Sequence, residues 1–119
     1  MSPIAAPAIK VVRSVREQVS PAEWEIRVNL AACYRLTELY GMTDLTANHI
    51  SYRLPNTPNH FLINPHGMMY DEVTASSLIT IDCDGNEIFN ATEFGVNRAG
   101  FVIHSAMHMA RHDLNCIHH

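Results

Sequence analysis

The 119 residues contain no long apolar run, no excess of basic charge and no paired-cysteine motif, and each absence removes a class of function. No stretch approaches the ~20 apolar residues that a helix needs to cross a bilayer, and the N-terminus lacks a charged segment followed by an apolar one. Neither a membrane span nor a secretory leader is expected. Lys and Arg number 8 against 12 Asp and Glu, for a net charge of −4 and a pI near 6.0. The cations stand singly along the chain, which leaves no electrostatic footprint for nucleic acid or an anionic membrane. The 3 cysteines, Cys33, Cys83 and Cys116, form no CxxC pair and no even-numbered framework. That pattern fits buried thiols in a reducing compartment and places the protein in the cytoplasm. A Gly-rich phosphate loop, a Gly-x-Ser-x-Gly elbow and a His-Glu-x-x-His helix are all missing.

What is present is apolar: 47% of residues are hydrophobic and 17% charged, the makeup of a single globular domain with a real core. The compositional oddity is 8 histidines, gathered toward the C-terminal half. Taken singly, each is best explained by a loop position or a satisfied core hydrogen bond. Only a constellation outweighs that explanation.

Residues 1–19, with Pro3, Pro7 and several alanines, read as a flexible tail carrying a short helix or strand near Val11 to Val15. Ser20-Pro21-Ala22-Glu23 is a capping box with proline at the first helical position, and it predicts a helix running to Tyr40, with Gly41 as its left-handed stop. Along that helix Trp24, Val28, Ala31, Ala32, Leu36 and Leu39 share a face and are assigned to the core. From Asn48 the period changes to two. Residues 49–54 and 60–64 alternate around the turn cluster Pro55 to Asn59, and residues 78–82 and 86–89 flank Asp84-Gly85, so two antiparallel hairpins are expected. Tyr70 to Ser77 is read as a connection with one helical turn, capped by Thr74.

The C-terminal stretch organises the rest. Phe101, Ile103, Ala106, Met107 and Ala110 fall at helical spacing and predict a second packed helix that Arg111 closes. His112-Asp113 then turns the chain, and Leu114, Cys116 and Ile117 predict a short buried strand that delivers His118 and His119. A strand end fixes an imidazole while leaving it open to a ligand, which suits a metal site. His104 and His108 stand at i, i+4 on the helix, a spacing that also suits a metal. One of them is expected to face the core and the other the solvent or the sheet edge. The order of elements predicts an α/β fold, layered α/β/α, with a mainly antiparallel sheet covered by helices and a domain spanning residues 20–119.

Three segments carry a resemblance: LTANHISYR, then HFLINPHGMMYDEVTASSLITID with DG after it, then VNRAGFVIHSAMHMARHDLNCIHH. In this order they resemble the class II aldolase/adducin family, and within it the branch containing the adducin head domain. The resemblance covers roughly Trp24 to His119. It implies a divalent metal, Zn²⁺ by expectation, that polarises the oxygens of a phosphorylated sugar or similar hydroxy-carbonyl ligand and stabilises an enediolate. His119 matches the first histidine of the family's His-x-His metal motif, and His118 is read as its neighbour rather than a ligand. The motif's second histidine would stand at position 121. The resemblance therefore implies the N-terminal part of a longer protein, cut inside the motif, that alone supplies one of the family's ligands where a zinc site takes at least three.

In the aldolases a glutamate at the start of the second helix serves as acid/base, and the matching position here is Gly100. A glycine cannot move a proton, so aldol cleavage by the usual route is not expected. Glu93, Tyr70 and His104 are the residues left to substitute for it. The family's phosphate-binding positions correspond to Asn48, His49, His66, Gly67 and Arg98, which together could take a carboxylate or phosphate. With equal weight, Asn48 and His49 could simply hydrogen-bond the sheet edge. Further implications of the resemblance are a homo-oligomer, tetrameric by family analogy, and, by analogy with adducin alone, actin-cytoskeleton binding by a non-catalytic assembly module.

Overall fold

Strand β1 (Ile50–Arg53) carries two alternating sets of side chains, and the two long helices divide them between opposite faces of one sheet. The computed structural model describes residues 3–4 and 12–119. In chain order these form α1 (Val15–Gln18), α2 (Pro21–Leu39), β1, β2 (His60–Ile63), a 3₁₀ turn at Tyr70–Glu72, β3 (Ile79–Asp82), β4 (Glu87–Phe89), α3 (Arg98–Ala110) and β5 (Cys116–His118). The sheet order is β4-β3-β2-β1-β5, and every neighbouring pair is antiparallel. With α2 on one face and α3 on the other, the architecture is the α/β/α layering expected from the sequence. The part of the expected tail at residues 1–2 and 5–11 lies outside the described residues. Its remainder winds into α1, held by a Ser14/Glu17 capping box, with Val15 buried.

The α2 face holds the larger core: Leu30 and Tyr34 from the helix, Ile50, Leu54 and Leu62 from the strands, and Tyr70, Val73 and Leu78 from the connection. The stripe predicted on this helix is rotated from the true one. Val28, Leu36 and Leu39 are 45%, 51% and 75% exposed, and the buried positions are Arg27, Leu30, Ala31, Tyr34 and Thr37. The cause is polar groups with partners inside. Arg27 donates to the carbonyls of Ala75 and Leu78 at 3.1 and 2.8 Å and to Thr80 Oγ1 at 2.9 Å. Glu23, expected to close the capping box, instead pairs with Arg27 Nε at 2.9 Å, so Ser20 caps alone, its Oγ accepting from the Glu23 amide.

Tyr34 joins β1 to β2 where their ladder ends. Its hydroxyl accepts from the amides of Ile50 and Asn64 at 3.0 and 3.2 Å and lies beside the Ile50 carbonyl and Asn64 Oδ1 as acceptors. Burial raises its phenol pKa well above the ordinary range. The thiols also depart from expectation. Cys33 and Cys83 are half-buried, and Cys116, on the strand at the β5 edge of the sheet among the described residues, is exposed.

Candidate functional site

The residues of β1 that point away from α2 are polar, and they meet an equally polar face of α3. His49, just ahead of the strand, exchanges two backbone hydrogen bonds with His119, at 2.9 and 3.1 Å. That reciprocal pairing sets the two residues directly opposite across β1 and β5, so their side chains leave on the same face. Ser51 follows two residues on. Its hydroxyl lies 2.5 Å from His104 Nδ1 and 2.8 Å from His108 Nε2. Arg53 comes next and closes the C-terminal end of α3, its guanidinium donating to the carbonyls of His108 and Arg111 at 2.5 and 3.1 Å. The start of α3 is set by Asn97, whose side chain accepts from the Ala99 amide at 3.0 Å.

The buried face of α3 is therefore Gly100, His104, Ser105 and His108. The apolar residues predicted to pack, Ile103, Ala106, Met107 and Ala110, face outward, and of the predicted set only Phe101 is half-buried. His104 and His108 are both fully buried, so the expected division of one inward and one outward is corrected. Four residues apart, they stand one turn above the other, and Ser51 bridges the turn. His108 also lies over the Phe61 ring, with centroids 4.8 Å apart.

Three imidazoles converge at the His119 end. Ligand nitrogens of His49, His104 and His119 lie within 4.8 Å of one another, a donor set able to hold a metal ion. His49 and His104 are buried, while His119 is exposed and opens the cluster to solvent. His49 Nδ1, His49 Nε2 and His104 Nε2 are buried without hydrogen-bond partners. Burial, aided by the neighbouring His119 and His49, pushes the His104 pKa down to about 3. Burial and the proximity of His119 and His66 lower that of His49. Both rings are neutral at physiological pH, the state in which imidazole offers a lone pair.

Gly100 explains how His49 comes so close. A Cβ built at Gly100 would stand 2.9 Å from Cδ2 and Nε2 of His49. No side chain at position 100 fits beside the imidazole as it lies. The substitutes considered for the missing acid are dispersed: Tyr70 packs edge-on against Tyr34 on the α2 face of the sheet, and Glu93 is exposed on the loop before α3. Of the three, His104 alone lies in the cluster.

Of the expected anion-binding residues, His49 belongs to the cluster, Asn48 precedes it, His66 and Gly67 lie on the loop after β2, and Arg98 opens α3. Asn48 spends its side chain locally, Oδ1 accepting from the Asp44 amide at 3.2 Å and Nδ2 donating to the Met42 carbonyl at 3.3 Å. Gly67 has φ +101°, which favours glycine, but the Phe94 ring lies 3.4 Å from its Cβ direction. Arg98 lines a separate cavity of about 240 Å³ with Ile81, Asp84, Gly85, Val96 and Phe101. His66 is exposed and close enough to His49 to influence its pKa. His118, one residue before His119, emerges on the α2 face by strand alternation, paired across the ladder with Ile50. Among the described residues no helix is long and apolar enough to cross a membrane. The roles of His49 and His104 in one cluster escaped the reading of the sequence. The available signal was the run His49, Ser51, Arg53, polar residues at period two on a strand that must be covered on both faces.

Comparison with known proteins identifies the family. Residues 28–119 match the family described as "Class II Aldolase and Adducin N-terminal domain". A solved aldolase II superfamily protein from Pseudomonas syringae is 53% identical, with a TM-score of 0.84 over 87% of this chain and 42% of that one. The L-fuculose 1-phosphate aldolase of Glaciozyma antarctica is 31% identical, with a TM-score of 0.77 over 94% of this chain and 44% of that one. Alpha-adducin of Rattus norvegicus is 47% identical over 95 residues, covering 79% of this chain and 13% of the adducin. The chain spans about two fifths of the length of the bacterial relatives it matches at 50% identity. By the family match over most of its length, this chain belongs to the class II aldolase/adducin family.

Proposed function

We propose that this domain, residues 20–119, binds a divalent metal, Zn²⁺ by preference, together with a small anionic hydroxy-carbonyl or sugar-phosphate ligand, and supports little aldol cleavage by the family's usual route. The observation that carries the reading is the His49 ring in the space beside Gly100, where the aldolases place their acid. A bound metal would polarise the ligand's carbonyl and hydroxyl oxygens. His119 would hold it from β5, and His66, exposed on the loop after β2, would donate a hydrogen bond to an anionic group. The 31% identity to an L-fuculose 1-phosphate aldolase supports the sugar-phosphate class. By family analogy the protein would act in the cytoplasm as a homo-oligomer, a tetramer.

The test separates metal from rate. Purified full chain should take up metal measured by elemental analysis, lose it with His119→Ala, and leave a panel of sugar phosphates uncleaved above background. General acid-base help is typically worth 10²- to 10⁴-fold, so its loss should be visible. Robust cleavage by the unmodified protein would overturn the reading. A second reading is a non-catalytic assembly module of the adducin type, extending to actin filaments. It is favoured by the 47% identity to alpha-adducin and by Val102, Ile103, Met107 and Met109 exposed along α3. Co-sedimentation with actin filaments tests it.

A further inference from the structure

The geometry points to a three-imidazole metal site contained in this chain, with His49, His104 and His119 as its ligands and Ser51 as the group that aims His104. The inference rests on the proposed metal binding at His119 and adds two ligands that the family's His-x-His motif does not include.

Three observations carry it. The nitrogens already lie within 4.8 Å of one another, and two ~2.0 Å bonds at a tetrahedral angle would bring each pair to about 3.3 Å. Turning the exposed His119 side chain closes its two distances, and a small turn of the His49 ring closes the one to His104. Next, the three unpartnered buried nitrogens of His49 and His104 each forgo a hydrogen bond, a cost of about 1–3 kcal/mol apiece when nothing replaces it. A metal ion would satisfy one on each ring. Last, Ser51 couples the tautomers of His104 and His108. When His104 Nδ1–H donates to Ser51 Oγ, and the Ser51 hydroxyl donates onward to His108 Nε2, His104 Nε2 is left as a lone pair facing the cluster. Each direction of the relay strands one buried N–H, on His108 Nδ1 in this case and on His104 Nε2 in the other, and a metal ion at the cluster favours the first because it needs the His104 Nε2 lone pair.

Gly100 belongs to the same design, since any side chain at that position would push the His49 ring out of the cluster. Neutral imidazoles select a borderline transition ion such as Zn²⁺ or Co²⁺ over Mg²⁺ or Ca²⁺, which prefer oxygen. Three protein ligands leave a fourth position open toward solvent for a water or a ligand oxygen.

The experiment uses the purified full chain, stripped with a chelator and titrated with Zn²⁺ and separately with Co²⁺. One equivalent should bind, and the cobalt form should show the intense visible absorption of a tetrahedral site. His49→Ala, His104→Asn and His119→Ala should each weaken Zn²⁺ at least 100-fold. Ser51→Ala should cost about 10- to 100-fold while leaving the stoichiometry at one. His104 is fully buried and its variant is the one at risk of misfolding, so Gly100→Ala is the companion. A Cβ there displaces the ring end of His49, a movable group, and improves the helix, so the protein should unfold cooperatively yet bind Zn²⁺ at least 10-fold more weakly. Wild-type affinity in both His49→Ala and Gly100→Ala, with metal lost in His119→Ala, would overturn this ligand set and leave metal binding at His119 standing. No uptake by the unmodified chain would overturn both.

Discussion

His49 occupies the space beside Gly100: a Cβ at residue 100 would come within 2.9 Å of its ring. The contact makes a glutamate at 100 and a histidine at 49 mutually exclusive in their present positions. Restoring the aldolase-type carboxylate therefore takes two changes. Gly100→Glu alone should lower the thermal midpoint by displacing the buried ring and should gain no cleavage of a sugar phosphate. Gly100→Glu with His49→Asn should recover the midpoint and, with Zn²⁺ supplied in excess to offset the lost imidazole, is the variant in which cleavage should rise above the single mutant. Equal midpoints for the single and double variants would show that the two residues do not compete.

The helix α2 gives a test of which stripe is core. Leu30 is 3% exposed within the main cluster, so Leu30→Ala should cost about 2–5 kcal/mol in denaturant unfolding. Leu36 is 51% exposed, and Leu36→Ala should stay within about 0.5 kcal/mol of the parent. A large loss at Leu36 together with a small one at Leu30 would rotate the helix back to the stripe its apolar residues suggest.

The legibility of this chain divides along that same line. Strand positions were readable because period-two alternation and the turns at Pro55 to Asn59 and Asp84-Gly85 are local signals, and β1 to β4 formed where they were expected. The helices were readable as helices for the same reason, through Ser20 and Gly41 at the two ends of α2. Their inward faces were not. A hydrophobic pattern assigns Arg27 and Thr37 to solvent and one of His104 and His108 to the interior, yet all four are buried. Three of them reach partners far along the chain: Arg27 reaches Ala75 and Leu78, while His104 and His108 reach Ser51. Such pairings are long-range, and no local window contains them. The cluster of His49 with His104 was hidden for a related reason. It depends on the β1–β5 register and on α3 crossing β1 at Gly100, and both are tertiary facts.

Tyr34 supplies a sharper test of buried polar packing than a truncation does. Phenylalanine keeps the ring against Tyr70, whose centroid lies 4.6 Å away, and removes only the hydroxyl. The amides of Ile50 and Asn64 then lose their acceptor in a buried place. Tyr34→Phe should therefore cost about 1–3 kcal/mol, more than the loss of one exchangeable hydrogen bond. Hydrogen exchange should show the Ile50 and Asn64 amides opening faster than their neighbours in β1 and β2. Unchanged exchange at both would mean that the hydroxyl is not their partner.

Acid should unfold the metal-free protein through its buried histidines, and His108 isolates the effect. It faces Ser51, the Phe61 ring and the Arg53 guanidinium, and burial, aided by Arg53, pushes its pKa down to about 4. In the unfolded chain the ordinary value is near 6.5. Between these two values the unfolded state binds a proton that the folded state refuses, so stability rises with pH across that window and is fully present above it. As pH falls below about 6.5 the protein should lose up to about 1.4 kcal/mol per pH unit for each such histidine, with His104, pushed down to about 3, adding its share. Urea unfolding with a chelator present at pH 7.5, 6.0 and 5.0 measures the slope. His108→Gln keeps a group able to bond Ser51 and cannot titrate, so its stability should fall less steeply toward pH 5. A parent protein equally stable at pH 5.0 and 7.5 would show that these rings accept protons in the folded state, which the arrangement around Ser51 leaves no room to stabilise.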